Sequence, residues 1–310
     1  MSRSAASANR ADVYTRITSE IISAIEAGAS NWRMPWHHNG SPTTRPTNVQ
    51  SGKRYRGINV LALWAAADSA GYADGLWGTY KQWNSAGAQV RKGERATTVV
   101  LWKESKPKHQ DGEDEGEVGD DDGRPRLFAR AFWVFNRAQV DNYDPPARPI
   151  LPEDDRIAEA DRFFSGLHIP MVSGYHDAHY RIDEDRIYMP AFGSFASPAD
   201  FAGTLFHEAG HATGAKHRLD RDFGKGFGDR ARAMEEAVAE LTASYVLADL
   251  GIAHHPRPDH AAYIASWLKL LKDDSRAIFT AASKAQQAAD WMHAQQASDR
   301  NSVHQGRAAA

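Results

Sequence analysis

His207-Glu208-Ala209-Gly210-His211 lies inside a stretch that reads as a helix from both sides. Positions i and i+4 of a helix share one face. His207 and His211 can therefore aim a ring nitrogen at one ion, while Glu208 lies beside them as a base for water. The helix start is written in Ser197-Pro198-Ala199-Asp200. Ser197 can cap, Pro198 suits the first helical position, and Asp200 can reach back to the cap. Phe201, Leu205 and Phe206 supply a buried face, and Gly214 is a natural stop. Two chance histidines on a helix face would lack this context. The C-terminal half therefore reads as a metal-dependent hydrolytic site.

A zinc site of this kind needs a third protein ligand, with the fourth position left to water. His217 completes the longer spacing HExxHxxGxxH over residues 207–217, but no methionine stands where the turn that accompanies that pattern is needed. The other source is residues 230–250, rich in helix formers and ending at Gly251. There Glu236 and Glu240 lie four apart and share a face. One can ligate the metal while the other accepts the remaining N–H of a liganding histidine, fixing its tautomer. Glu235, Glu236 and Glu240 could instead line a solvated helix face. The apolar neighbours Ala237, Val238, Leu241, Tyr245 and Val246 argue against that, because an unpaired carboxylate is costly on a buried helix. Glu236 is the preferred ligand and Glu240 its supporting carboxylate, with His217 the alternative.

The chain has 310 residues, 42% of them hydrophobic and 25% charged, enough for two domains of ordinary size. Without cysteine it has neither disulfides nor thiolate-bound zinc, which fits a reducing cytoplasm. The first residues lack the apolar core of a signal peptide. The longest apolar-rich stretch, Val60–Ala67, is far too short to cross a bilayer. A cytoplasmic protein with no membrane partner is expected.

The net charge of −3 is unevenly spread. Residues 1–104 hold 13 Lys or Arg against 7 Asp or Glu, a net of +6. Residues 111–122 (DGEDEGEVGDDD) then hold 8 acids and no base, and read as part of a disordered insert over 105–125. Seven of the nine tryptophans fall between residues 32 and 133, interleaved with the basic residues. Flat rings stack unpaired bases and cations track phosphates, so the mixture suits single-stranded nucleic acid. A small Trp-rich core with a solvated basic rim would look the same from composition alone.

Along the chain, residues 1–10 are expected as a flexible arm, followed by a helix over 11–27 with Val13, Ile17, Ile21, Ile22 and Ile25 on one stripe. Helices are predicted over 58–70 and 80–86, and strands over 97–103 and 127–136. The Pro-rich segment 144–155 marks the boundary, with a linker at 144–152. The second domain, 153–295, opens with a helix near 153–166. A hairpin (180–182 and 186–189) then precedes the HExxH helix, and three more helices follow, the last two near 258–272 and 275–293. Residues 296–310 are expected as a loose tail. The fold class is α+β: a small α+β domain at 11–143, then a mainly helical domain with a short β-hairpin.

The runs WRMPW (32–36), YRGINVLALW (55–64), GTYKQWNSAGAQVRKGE (78–94), TTVVLW (97–102) and ARAFWVFN (129–136) resemble the N-terminal domain of ArdC-type plasmid antirestriction proteins, which also opens TraC-type plasmid primases. FHEAGHATG (206–214), HRLDR (217–221), MEEAVAEL (234–241) and residues 260–292 resemble the zincin-like metallopeptidase domain of the same family. The resemblance implies a first domain that binds single-stranded DNA. It also implies a second with a gluzincin-like Zn2+ site: His207, His211 and Glu236 as ligands, Glu208 as base. The acidic insert and His217 depart from the family pattern. Candidate DNA contacts are Arg54, Tyr55, Arg56, Lys81, Arg91 and Lys92, and candidate oxyanion helpers are His255, His260 and Tyr263. The implied partners are single-stranded DNA and a protein substrate or restriction-system component. The competing reading is a non-catalytic DNA-binding, antirestriction or conjugation accessory protein whose zinc domain is structural or docks a partner. No primase catalytic motif is present in the sequence.

Overall fold

In the computed structural model, which describes residues 2–28, 45–105, 126–146, 151–223, 228–253 and 260–308, the first apolar stripe forms helix α1 (Ser2–Gly28). Val13, Ile17, Ile21 and Ile25 are buried along it. The helix includes residues 2–10, where the sequence suggests an arm. That segment has three alanines and neither glycine nor proline, so nothing in it interrupts a helix formed downstream. A short strand β1 (Thr47–Asn48) leads to helix α2 (Ile58–Ala70), whose residues Ile58 and Val60 to Ala65 are buried. Gly71 ends α2 at φ 69°, a left-handed backbone that suits glycine.

Strand β2 (Leu76–Gly78) is followed by helix α3 (Tyr80–Ser85), started by a reciprocal cap between Thr79 and Gln82. Strands β3 (Gln89–Val90), β4 (Thr97–Ser105), β5 (Arg126–Asn136) and β6 (Val140–Asp141) complete the first half. The main sheet has the order β1-β2-β5-β4, and β3 pairs with β6. β4 and β5 are antiparallel in unbroken register from Thr97↔Val134 to Ser105↔Arg126. Residues 106–125, which hold nearly all of the expected acidic insert, lie outside the described residues.

The second half begins with helix α4 (Glu153–Ser165) and a small sheet of β7 (Met171–Ser173), β8 (His179–Arg181) and β9 (Arg186–Met189), in the order β7-β9-β8. β8 and β9 are the predicted hairpin. Helices α5 (Pro198–Ala212), α6 (Asp229–Leu250), α7 (His260–Asp273) and α8 (Ala277–Ala308) follow. α8 includes residues 296–308, expected as a loose tail; no proline stands there to stop it. Among the described residues no helix is long and apolar enough to cross a membrane.

The architecture is α+β in two domains, but its main core is shared. One buried cluster joins Ile17 and Ile21 of α1 and Leu61 and Trp64 of α2 to Phe206 of α5 and Tyr245 of α6. A polar knot seals the same seam. Arg45 reaches Asp249 on α6 at 3.1 Å and lies over the Tyr245 ring, 4.4 Å from its centroid. Tyr245 donates its hydroxyl to the Gly57 carbonyl at 3.0 Å, and His293 on α8 lies 3.0 Å from Asp249. Residues around 45–57 thus clasp the C-terminal part of α6 and the middle of α8.

Candidate metal centre

Helix α5 starts as its sequence dictates. The Ser197 side chain accepts the Asp200 backbone N–H at 3.2 Å, and its hydroxyl donates to the Asp200 carboxylate at 2.7 Å. The Asp200 side chain therefore closes the cap through the serine hydroxyl. Two turns beyond Asp200, His207 and Glu208 are buried, and His211 faces the same way as His207 one turn later. α5 packs on α6 at Gly210. A Cβ there would stand 2.9 Å from the Ala239 Cα and 3.0 Å from its carbonyl oxygen, so glycine permits the close approach of the two helices. That approach brings α6 carboxylates to the α5 histidines.

Three ligand-type atoms converge. The His207 and His211 Nε2 atoms are 3.1 Å apart, and Glu236 Oε2 lies 3.4 Å from the first and 3.6 Å from the second. Ligand atoms about 2.0–2.2 Å from one tetrahedral ion stand about 3.3–3.6 Å apart, so this spacing fits a single metal. The outer nitrogens are also engaged. His207 Nδ1 lies 3.3 Å from Glu240 Oε2, and His211 Nδ1 lies 3.2 Å from Glu235 Oε1. Ionised carboxylates only accept, so each Nδ1 carries the proton and each Nε2 presents a lone pair inward. Two imidazole nitrogens and a carboxylate oxygen facing one another favour positive charge between them, a metal ion or a shared proton. His207, His211 and Glu236 form the one such metal-competent group among the described residues.

The electrostatics show that the carboxylates create a demand for positive charge here, which a proton on His211 meets where a metal ion does not. Burial disfavours a charged His211 ring, yet Glu235, Glu236 and Glu208 outweigh it and hold its pKa up at about 10. Burial pushes the Glu235 carboxyl up, but Arg221 and His211 dominate and bring it down to about 2. Glu236 also lies well below the usual range: the two imidazoles outweigh its burial.

Sequence reasoning passed over the Glu235–Arg221 pair. Arg221 donates to both Glu235 oxygens, at 2.8 and 2.5 Å, and also to the Gly210 carbonyl and the Thr213 hydroxyl, each at 2.9 Å. Its side chain is 1% exposed. The one signal was an arginine soon after the HExxH helix, in HRLDR, together with a second glutamate next to Glu236. The alternative ligand His217 goes elsewhere: its Nε2 lies 3.1 Å from Asp185, which Arg218 also holds through both oxygens. The turn after α5 carries His217 to the β8–β9 hairpin, away from His207 and His211. Of the expected oxyanion helpers, His255 lies outside the described residues, as do the side chains of His260 and Tyr263.

The six candidate DNA contacts separate into two groups. Arg54 pairs with Asp249 at 2.8 Å, Arg56 pairs with Asp290, and the half-buried Tyr55 hydroxyl accepts from Asn48 at 3.2 Å. The two arginines thus belong to the seam with α6 and α8, while Tyr55 is tied to β1 of its own domain. Lys81 is exposed on α3, and Arg91 and Lys92 border a cleft in the first domain.

Comparison with known proteins places both halves. Residues 11–135 match the N-terminal domain of the anti-restriction factor ArdC, and residues 158–284 match a zincin-like metallopeptidase family. An uncharacterised protein of Sinorhizobium fredii (strain NBRC 101917 / NGR234), y4eC, is 55% identical over 293 residues, covering 94% of this chain and 95% of that one. A DNA primase TraC of Escherichia coli is 37% identical over 292 residues, 90% of this chain but 27% of the primase. Crystal structures of the antirestriction ArdC protein from plasmid R388 superpose closely. The metal-free form has a TM-score of 0.74 at 34% identity, covering 93% of this chain and 98% of that one; the Mn(II)-bound form has 0.71 at 36%, covering 92% and 98%. With both domains matched in order and nearly end to end, the chain belongs to the ArdC-type antirestriction family.

Proposed function

We propose that this protein binds single-stranded DNA through its first domain and hydrolyses peptide bonds at a zinc site in its second, as an antirestriction factor acting in the cytoplasm. The convergence of His207 Nε2, His211 Nε2 and Glu236 Oε2 carries this reading. The donor set of two imidazoles and one carboxylate leaves room for water and suits Zn2+. A divalent ion held there supplies Lewis acidity, which acidifies water and polarises a carbonyl.

The protein's own residues do the rest. Glu240 and Glu235 fix the two histidine tautomers and keep both Nε2 lone pairs turned inward. Glu208, buried and close enough to His211 to raise its pKa, takes the proton from the attacking water and returns it to the leaving amine. The β7-β9-β8 sheet packs beside α5 and presents strand edges with which an extended peptide can pair.

The shared core favours one further reading, in which the metal domain supports the DNA-binding domain without catalysis or docks a partner. Restriction-escape assays on Glu208→Gln and Glu236→Ala separate the two. Loss in both variants supports catalysis. Loss in Glu236→Ala with full retention in Glu208→Gln would leave the metal a structural role.

A further inference from the structure

The first domain has a concave feature of its own, remote in sequence from the metal centre and unused by it. An open cleft of roughly 550 Å³ is bordered by Tyr80, Arg91, Lys92, Glu94, Phe135 and Asp141. Tyr80 is 52% exposed and is steadied by Gln89, whose side-chain amide donates to the tyrosine hydroxyl at 3.2 Å. Phe135 pairs in register with Gly78, two residues before Tyr80, and its carbonyl accepts the Trp83 indole N–H at 2.9 Å. Trp133 is 57% exposed. It lies two positions from Phe135 on β5, so the strand pleat sends both rings to one face about 6–7 Å apart. Tyr80 and the half-buried Phe135 border the cleft itself, and the exposed Trp133 extends the same face of β5 beyond its rim.

The charges around it are asymmetric. Both acids of the cleft are paired with Arg91, Glu94 at 2.8 Å and Asp141 at 3.4 Å. Lys92 and Lys81, the neighbour of Tyr80, are exposed and have no ion-pair partner among the described residues. With the neighbouring Lys81 counted, three cations (Lys81, Arg91 and Lys92) stand against two carboxylates (Glu94 and Asp141), and Tyr80 and Phe135 supply aromatic walls.

We propose that this cleft is a stacking subsite for about two or three consecutive unpaired nucleotides, with Tyr80, Phe135 and Trp133 facing the bases and Lys81 and Lys92 meeting the flanking phosphates. The proposal rests on the single-stranded-DNA reading and gives it a location. Paired bases hide the faces that the rings would contact, so a duplex gains only the lysine contacts.

The test is fluorescence anisotropy of a labelled oligothymidylate and of a duplex of equal length, titrated with the full chain and its variants over a salt series. Tyr80→Ala and Trp133→Ala are each expected to weaken the single strand about tenfold, with Tyr80→Phe close to wild type. Lys92→Ala is expected to lower the slope of log K against log salt by about 0.7. Circular dichroism and metal content confirm that each variant is folded. No binding by wild type would overturn the DNA reading itself. Wild-type binding that survives both aromatic substitutions, or equal affinity for the duplex, would place the DNA elsewhere.

Discussion

His211 Nδ1 and Glu235 Oε1 stand 3.2 Å apart, and the same carboxylate is gripped through both oxygens by the buried Arg221 guanidinium. The proposed metal ligand is thus held by an acid that is itself held. Arg221 also bonds the Gly210 carbonyl and the Thr213 hydroxyl, so the loop after α5 clamps the end of the histidine helix. Removing Glu235 frees the His211 ring to rotate and to change tautomer. Glu235→Ala is expected to weaken zinc binding about 10–100-fold, and Glu235→Gln, which retains an acceptor, by less. Chelator competition on the folded proteins reads this out. Equal affinity in Glu235→Ala and wild type would remove the positioning role.

Gly210 lies where α5 crosses α6. An alanine methyl there would meet Ala239 backbone atoms, which cannot swing aside as a side chain could. Gly210→Ala is expected to cost about 1–3 kcal/mol and to separate the histidine helix from the Glu236 helix, lowering metal affinity as well. Thermal unfolding and zinc titration measure the two effects. A variant as stable as wild type would mean that the contact between the helices is looser than the geometry requires.

Asp249 ties the two domains together and gives a pH signature. Burial raises its pKa, but His293, Arg45 and Arg54 outweigh that and hold it below the ordinary carboxylate value. A depressed carboxylate contributes its stability above the unfolded pKa of about 3.9, and loses it as pH falls through the lower folded value. Asp249→Asn leaves Arg45 buried against a neutral group and is expected to cost about 3 kcal/mol at pH 7. The gap to wild type should close as the pH drops below 4. Denaturant unfolding at pH 7 and pH 3 checks this. A gap that stays constant would show that the charge of Asp249 is irrelevant to the seam.

Much of this was legible in the chain because it is local. The Ser197 cap, the α2 and α6 stops at Gly71 and Gly251, and the β8–β9 hairpin follow from short-range chemistry that sequence displays directly. His207, His211 and Glu236 come together because i, i+4 spacing on two helices leaves few alternatives once the helices pack. What sequence hid is long-range. Arg221 finds Glu235 only when the loop after α5 folds back, and His217 is drawn to Asp185 by a hairpin that precedes it by more than thirty residues. Arg54 and Arg56 read as candidate DNA contacts beside Tyr55, yet α6 and α8 supply Asp249 and Asp290 to pair with them. The shared core was invisible for the same reason: a Pro-rich boundary marks where the chain turns, and says nothing about which helices later bury one another's apolar faces.

The most direct measurement is elemental analysis of purified wild-type protein beside Glu236→Ala and His217→Ala. One equivalent of zinc is expected in wild type and in His217→Ala, with loss of metal in Glu236→Ala. Zinc retained in Glu236→Ala but lost in His217→Ala would contradict the His207–His211–Glu236 centre, and a metal-free wild type would contradict a metal site altogether.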